Sequence, residues 1–474
     1  MPFYIILPFL PFIIQFVFGK GQYGLIAQAA CHIGISLARI IVPKLVISWG
    51  SRIVILVGGL LAFSFFIYSF YLIDKVYDYN KLPVTSEYHQ DKYISALIAF
   101  SFVLGFGIVM GYQANLMYIQ HCAINIKDRD DRTEKEQLYQ KIYSKFIYLF
   151  RILGIIGAAL LFEEYHNNIF ATLPNLNHLM IYCGFLSISS FVLALAMPDP
   201  YKKNPKIIHS SQQIPDSEQS FNIQEEKGTR IIKEHYQYEG SEQQLKLYLS
   251  NDILSNIFSK RMLKYLPHIL CSALMNTVFE SVAFMFMFIQ IAANQKEFII
   301  RTTFFMFIPN IVIQLLLSFF TCKVCFEYGY SSNQSQRVTW RKGAILNFII
   351  FLGLLLIAII NRFIHWDFNQ FSATHTIGLF IGASILCGIS EILFQKQRRS
   401  LALQYTSTLS FYRATIIMED FVKAIVQVFL FLHFYIISDR KQLEDILELQ
   451  FFILIALSLG LGIVLQVFIY LCNP

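Results

Sequence analysis

The stretch GFGIVMGYQANLMY, Gly105 to Tyr118, sets two amides, two tyrosines and three glycines inside a long apolar run. Polar side chains cost free energy in hydrocarbon, so they persist where they face a cavity or another helix, and glycines let helices approach closely. The stretch therefore predicts a membrane-spanning helix whose polar face is functional.

Composition extends this reading to the whole chain, which is 55% hydrophobic and only 15% charged over 474 residues. Apolar runs near the length that crosses a bilayer recur throughout. They predict spans at 3–18, 23–47, 51–73, 93–120, 146–162, 178–197, 265–292, 298–322, 343–361, 373–395, 412–436 and 449–472. The chain reads as an all-α, twelve-span membrane protein with six spans on either side of a polar segment. The first span, broken by Pro2, Pro8 and Pro11 and without a basic start, reads as short or truncated rather than as a cleaved signal.

The net charge of +7 does not indicate nucleic-acid binding, because the cations sit in alternate loops. With the N-terminus cytoplasmic, 26 of the 38 Lys and Arg residues fall in inner loops and 9 in outer loops, while Arg39, Arg151 and Lys423 lie within spans. That asymmetry predicts cytoplasmic termini. The eight cysteines lie in spans or on the inner side and predict no disulfide framework; Cys322 and Cys325 lack the second pair that a zinc site needs. No phosphate-cradling loop, cofactor motif or hydrolase signature occurs, so the chain reads as a non-enzyme without a cofactor.

Two patterns recur at nearly one offset. Lys44 and Gly50 are echoed by Lys323 and Gly329, 279 residues on, and Tyr112-Gln113-x-Asn115 by Phe394-Gln395-x-Gln397, 282 residues on. They predict two parallel six-helix repeats, residues 1–197 and 263–474, joined by a cytoplasmic linker at 198–262. The linker is too polar to bury a core up to about Gly240, whereas 243–257 carries leucines and isoleucines partly at helical spacing.

The residues Gly105-x-Gly107-x4-Tyr112-x-Ala114-Asn115-x2-Tyr118 resemble a signature of the Unc-ninety-three-like family, a branch of the major facilitator superfamily. That family has Trp at the place of Tyr112 and Gln at that of Asn115. His32 to Pro43, SKRMLKYLP at Ser259 to Pro267 followed by Glu280, and Gly388, Glu391, Phe394, Gln395 and Gln397 also resemble its pattern. PKLVISWGSR, Pro43 to Arg52, is similar to the facilitator loop signature, with Ile47 where an acid is usual. The resemblance covers about 20–470 and implies a twelve-helix major facilitator fold. It further implies a regulator of potassium channels or an escort of other membrane proteins, in the plasma or an endolysosomal membrane. The alternative is a secondary transporter of a small solute or cation by alternating access, and a weaker one a structural protein with a degenerate cavity.

In the facilitator arrangement spans 1, 4, 7 and 10 line the cavity, so Tyr112, Gln113, Asn115, Asn276, Glu280, Glu391 and Gln395 are its expected lining. An intramembrane carboxylate is by default a cation or proton site, which singles out Glu280 and Glu391. Arg39 lies at a depth similar to Glu419 and Asp420, on spans that face each other across the halves, so Arg39 with either acid is an expected inner gate. Lys423, four residues from Glu419, is the rival partner. Gln28, His32 and Ser36 form one polar stripe, for which helix contact is the simpler role.

Overall fold

A chain crossing hydrocarbon must satisfy every backbone polar group internally, and this one does so with helices. The computed structural model describes residues 22–79, 87–124, 129–161, 169–197, 251–283, 299–320, 333–367, 373–405, 409–438 and 444–471, with Leu7, Leu10, Pro11 and Ile14 before them. The helices are α1 (Tyr23–Trp49), α2 (Ser51–Tyr79), α3 (Glu87–Ile124), α4 (Arg129–Leu161), α5 (Ile169–Ala196), α6 (Asn251–Ile257), α7 (Lys260–Thr277), α8 (Ile299–Phe320), α9 (Asn333–Asp367), α10 (Ala373–Tyr405), α11 (Leu409–Ser438) and α12 (Glu444–Leu471). α7 continues as a π-helical turn, Val278–Ala283.

Seven of these helices contain segments long and apolar enough to cross a membrane by length and composition, among them Tyr23–Val46, Trp340–Phe363 and Leu449–Leu471. α11 has the length, but Glu419, Asp420 and Lys423 interrupt its hydrophobicity. Most helices run past the ends read from hydropathy. α4 begins at Arg129 rather than near 146, and α10 ends at Tyr405 rather than 395. Charge marks where a helix leaves hydrocarbon, which need not be where its hydrogen bonding stops. Of the 198–262 segment only residues from Asn251 are described; they form α6 up to Ile257 and, from Lys260, the start of α7. Most of the first predicted span, residues 284–298 and Cys322 with Cys325 lie outside the described residues.

Ends are set locally where the chemistry is visible. Gly50 takes φ 83, a conformation that disfavours side chains, and its N–H bonds the Val46 carbonyl at 2.9 Å to close α1. Ser259 caps α7, its hydroxyl accepting from the Met262 N–H at 3.2 Å.

Packing repeats between the two parts of the chain. α1 packs on α3, α2 on α3 and α2 on α5; the counterparts α8 on α10, α9 on α10 and α9 on α12 recur later. Two further pairs, α1 with α11 and α4 with α8, join one part to the other. Buried hydrophobics likewise form two cores, one almost wholly from α1 to α5 with Leu7, Leu10 and Ile14, the other from α6 to α12 with Leu25.

Two of the three glycines of the opening stretch serve this packing. A Cβ on Gly105 would fall on the Cys31 carbonyl of α1, and one on Gly107 would lie 2.7 Å from the Gly58 carbonyl of α2. Part of what read as a functional face is therefore the surface where α3 meets two neighbours.

Candidate functional site

The α1 and α11 helices run antiparallel in contact along most of their length. The Tyr23 and Phe431 rings meet tilted with centroids 5.5 Å apart, Gln427 donates to Gln28 at 3.3 Å, and Ser36 donates to the Ile417 carbonyl at 3.4 Å. Rising residue numbers on α1 meet falling numbers on α11, so this wall is closed both near the Tyr23 end and toward the Trp49 end.

Toward the Trp49 end the wall is ionic. Arg39 Nε lies 2.9 Å from Asp420 Oδ2, and His32 Nδ1 lies 3.8 Å from Asp420 Oδ1. On the next residue of α11, Glu419 pairs with Arg398 of α10, while Lys423 Nζ lies 3.5 Å from its Oε1. From α7, Ser272 donates to Glu419 at 3.0 Å and Asn276 at 3.5 Å. Arg398 also donates to Ser272 at 3.4 Å. Glu419, Asp420 and Arg398 are all buried. Charge removed from water is tolerated at Glu419 because two cations and two polar donors surround it, whereas Asp420 depends on Arg39, and losing that partner would strand the acid.

The sequence had weighed Arg39 with an acid of span 11 against Glu419 with Lys423. The structure contains an ion pair of each kind, with Arg39 on Asp420. In the sequence Arg398 follows Gln395 in the basic run QKQRRS, beyond the apolar span, and only its place on a helix that continues to Tyr405 brings it to Glu419. Ser272 carried no signal beyond being one turn from Asn276.

The expected cavity residues divide among separate places. Asn276 belongs to the ionic cluster. Glu391 instead meets α8: Gln314 Nε2 donates to its Oε2, and Gln395 donates to its Oε1 at 3.3 Å. Tyr112 is exposed on α3, its ring centroid 6.2 Å from that of Tyr143, and Gln113 and Asn115 beside it are partly buried. The backbone of Glu280 lies in the π-helical turn, and its side chain is outside the described residues.

The span 10 pattern also splits by face. Ser390 donates to Asn347 of α9 at 2.9 Å, Asn347 to Gln397 at 3.1 Å, and Gln397 to the Trp340 carbonyl at 3.2 Å, while Phe394 is buried against Phe351 and His268. Glu391 and Gln395 lie away from this structural ladder. At the Tyr23 end, Gln28 accepts from Ser281 at 2.7 Å and donates to the Leu7 carbonyl at 2.7 Å, tying together α1, the π turn and the N-terminal segment. A cavity of about 70 Å³ among α7, α9, α10 and α12 is apolar and holds none of the charged residues.

No protein-family model and no curated protein matches the sequence. Solved structures do match in shape. The partially occluded inward-open conformation of the xylose transporter XylE from E. coli is 12% identical over 99% of this chain and 95% of that one, with a TM-score of 0.58. A D-xylose-proton symporter is 11% identical over 96% and 88%, also at 0.58. XylE bound to 6-bromo-6-deoxy-D-glucose, a major facilitator superfamily proton:xylose symporter, is 10% identical over 100% and 92%, at 0.51. At these identities the likeness carries the fold and not the substrate. The chain is an integral membrane protein with the fold of the major facilitator superfamily.

Proposed function

We propose that the protein is a secondary transporter that moves a small solute by alternating access between its two helical halves, with the Arg39–Asp420 contact as a gate at the Trp49 end. The observation that carries this reading is the ionic cluster on α1, α7, α10 and α11. Static packing gains little from buried charge, since apolar residues of similar volume often serve as well or better. A contact that must part is different: ionic groups are rehydrated when it opens, whereas an apolar seam would resist parting. The cluster includes a cation from α1 and acids from α11, on a pair of helices that joins the two halves. With the charge asymmetry of the loops, the gate faces the cytoplasm, as do both termini and the 198–262 segment.

A channel-regulating or escort role rests on the Unc-ninety-three-like resemblance, of which Gly105 and Gly107 are accounted for by helix packing. Uptake by proteoliposomes across a panel of sugars, amino acids and organic ions tests the transporter reading. Uptake of at least one solute, abolished by Asp420→Asn, is expected. No uptake of any solute, together with stoichiometric co-purification of a channel subunit, would favour the regulator instead.

A further inference from the structure

We propose that Glu391, Gln314 and Asn310 form a proton-binding site where α8 crosses α10. The crossing is tight, since a Cβ on Gly388 would lie 2.6 Å from the Asn310 carbonyl oxygen, and Glu391 follows one turn later. Gln314 is only 1% exposed. Its Nε2 donates both to Asn310 Oδ1, at 2.6 Å, and to Glu391 Oε2, while its Oε1 is buried with no hydrogen-bond partner. Gln395, exposed one turn further along α10, supplies a second donor to the carboxylate and a route to water.

Among the described residues, no Lys, Arg or His forms an ion pair with Glu391. The charged groups of α11 that reach α10 engage Arg398, about 10 Å further along the axis, where α7 contributes Ser272. α9 brings the neutral Asn347, and the buried Cys387 thiol lies one turn before Glu391. Among the described residues, the carboxylate is thus held by amides.

Amides suit both protonation states. With Glu391 ionised, Gln314 offers N–H, as observed. When a proton arrives from water and an O–H bond forms on Glu391, the acid needs an acceptor. A half-turn of the Gln314 amide supplies Oε1, and a matching turn of Asn310 offers Nδ2 to the same oxygen. The number of hydrogen bonds among the three groups is unchanged, and release of the proton to water reverses both turns. Use of this proton to drive solute rests on the transporter reading, but its binding does not.

Infrared difference spectroscopy between acid and alkaline pH, on the purified full chain in nanodiscs without solute, tests the binding. Among the carboxylic-acid carbonyl bands that appear in the wild type, one is expected to be lost in Glu391→Gln. In Gln314→Leu it should persist at the higher frequency of an acid without a hydrogen-bond partner. Elution as a single symmetric peak establishes folding, and Gly111→Ala, altered on α3 where a side chain meets nothing within 4 Å, should keep the band. A spectrum unchanged by Glu391→Gln overturns the proposal. So does a site that shows no titrating band but is thermally stabilised by sodium alone and loses that response in Glu391→Gln. These readouts stand apart from uptake, so failure of transport and failure of the site are distinguishable.

Discussion

At the scale of single residues, Asp420 is the most exposed to loss of a partner. It is buried between Arg39 and His32, and only the former is within hydrogen-bond distance. Arg39→Ala should therefore cost about 3–5 kcal/mol in stability, or move the population toward the state open at the Trp49 end, where water reaches the stranded acid. Thermal unfolding in detergent reads the first effect. Adding Asp420→Leu to the Arg39 variant should restore most of the stability without restoring uptake, whereas a purely structural pair would lose nothing further. Glu419 should behave differently, because Arg398, Lys423, Ser272 and Asn276 share it, and Lys423→Met alone should cost less than the Arg39 change. Arg39, Glu419, Asp420 and Lys423 were legible from the sequence because depth along a helix follows from residue count. Arg398 was not, since a cation beyond an apolar run looks the same whether its helix continues or stops.

At the scale of elements, the span positions could be read from hydropathy, whereas the division of labour among the glycines could not. Gly105 and Gly111 lie in the same quoted stretch, yet a side chain on the first would collide with the α1 backbone and one on the second meets nothing within 4 Å. Gly105→Leu should force α1 and α3 apart at a cost of about 1–3 kcal/mol or more and broaden the elution profile, while Gly111→Ala should leave both stability and elution unchanged. The amide-rich pattern on α10 carries the same lesson. Ser390 and Gln397 secure α9, and Glu391 and Gln395 face elsewhere, a distinction that residue type does not encode and helical phase does once the neighbours are known. The π turn at Val278–Ala283 left no mark in the apolar pattern of its span.

At the scale of the molecule, the duplication read from two weak offsets corresponds to packing pairs that recur between the first and second parts of the chain. On the proposed orientation, with cytoplasmic termini, the sequon at Asn333 should carry no glycan in a eukaryotic membrane; a glycosylated Asn333, seen as a mobility shift removed by glycosidase, would invert the topology. The central claim is that the two ends open in alternation. Spin labels at Ser48 and Lys264 report the Trp49 end, and labels at Gln22 and Ile436 the opposite end. Pulsed distance measurement on both pairs in nanodiscs should show two populations for each pair. Arg39→Ala should raise the long-distance fraction at Ser48–Lys264 and lower it at Gln22–Ile436. A single distance for each pair, the same in the wild type and in the Arg39 variant, would contradict alternating access and leave the ionic cluster a fixed part of the fold.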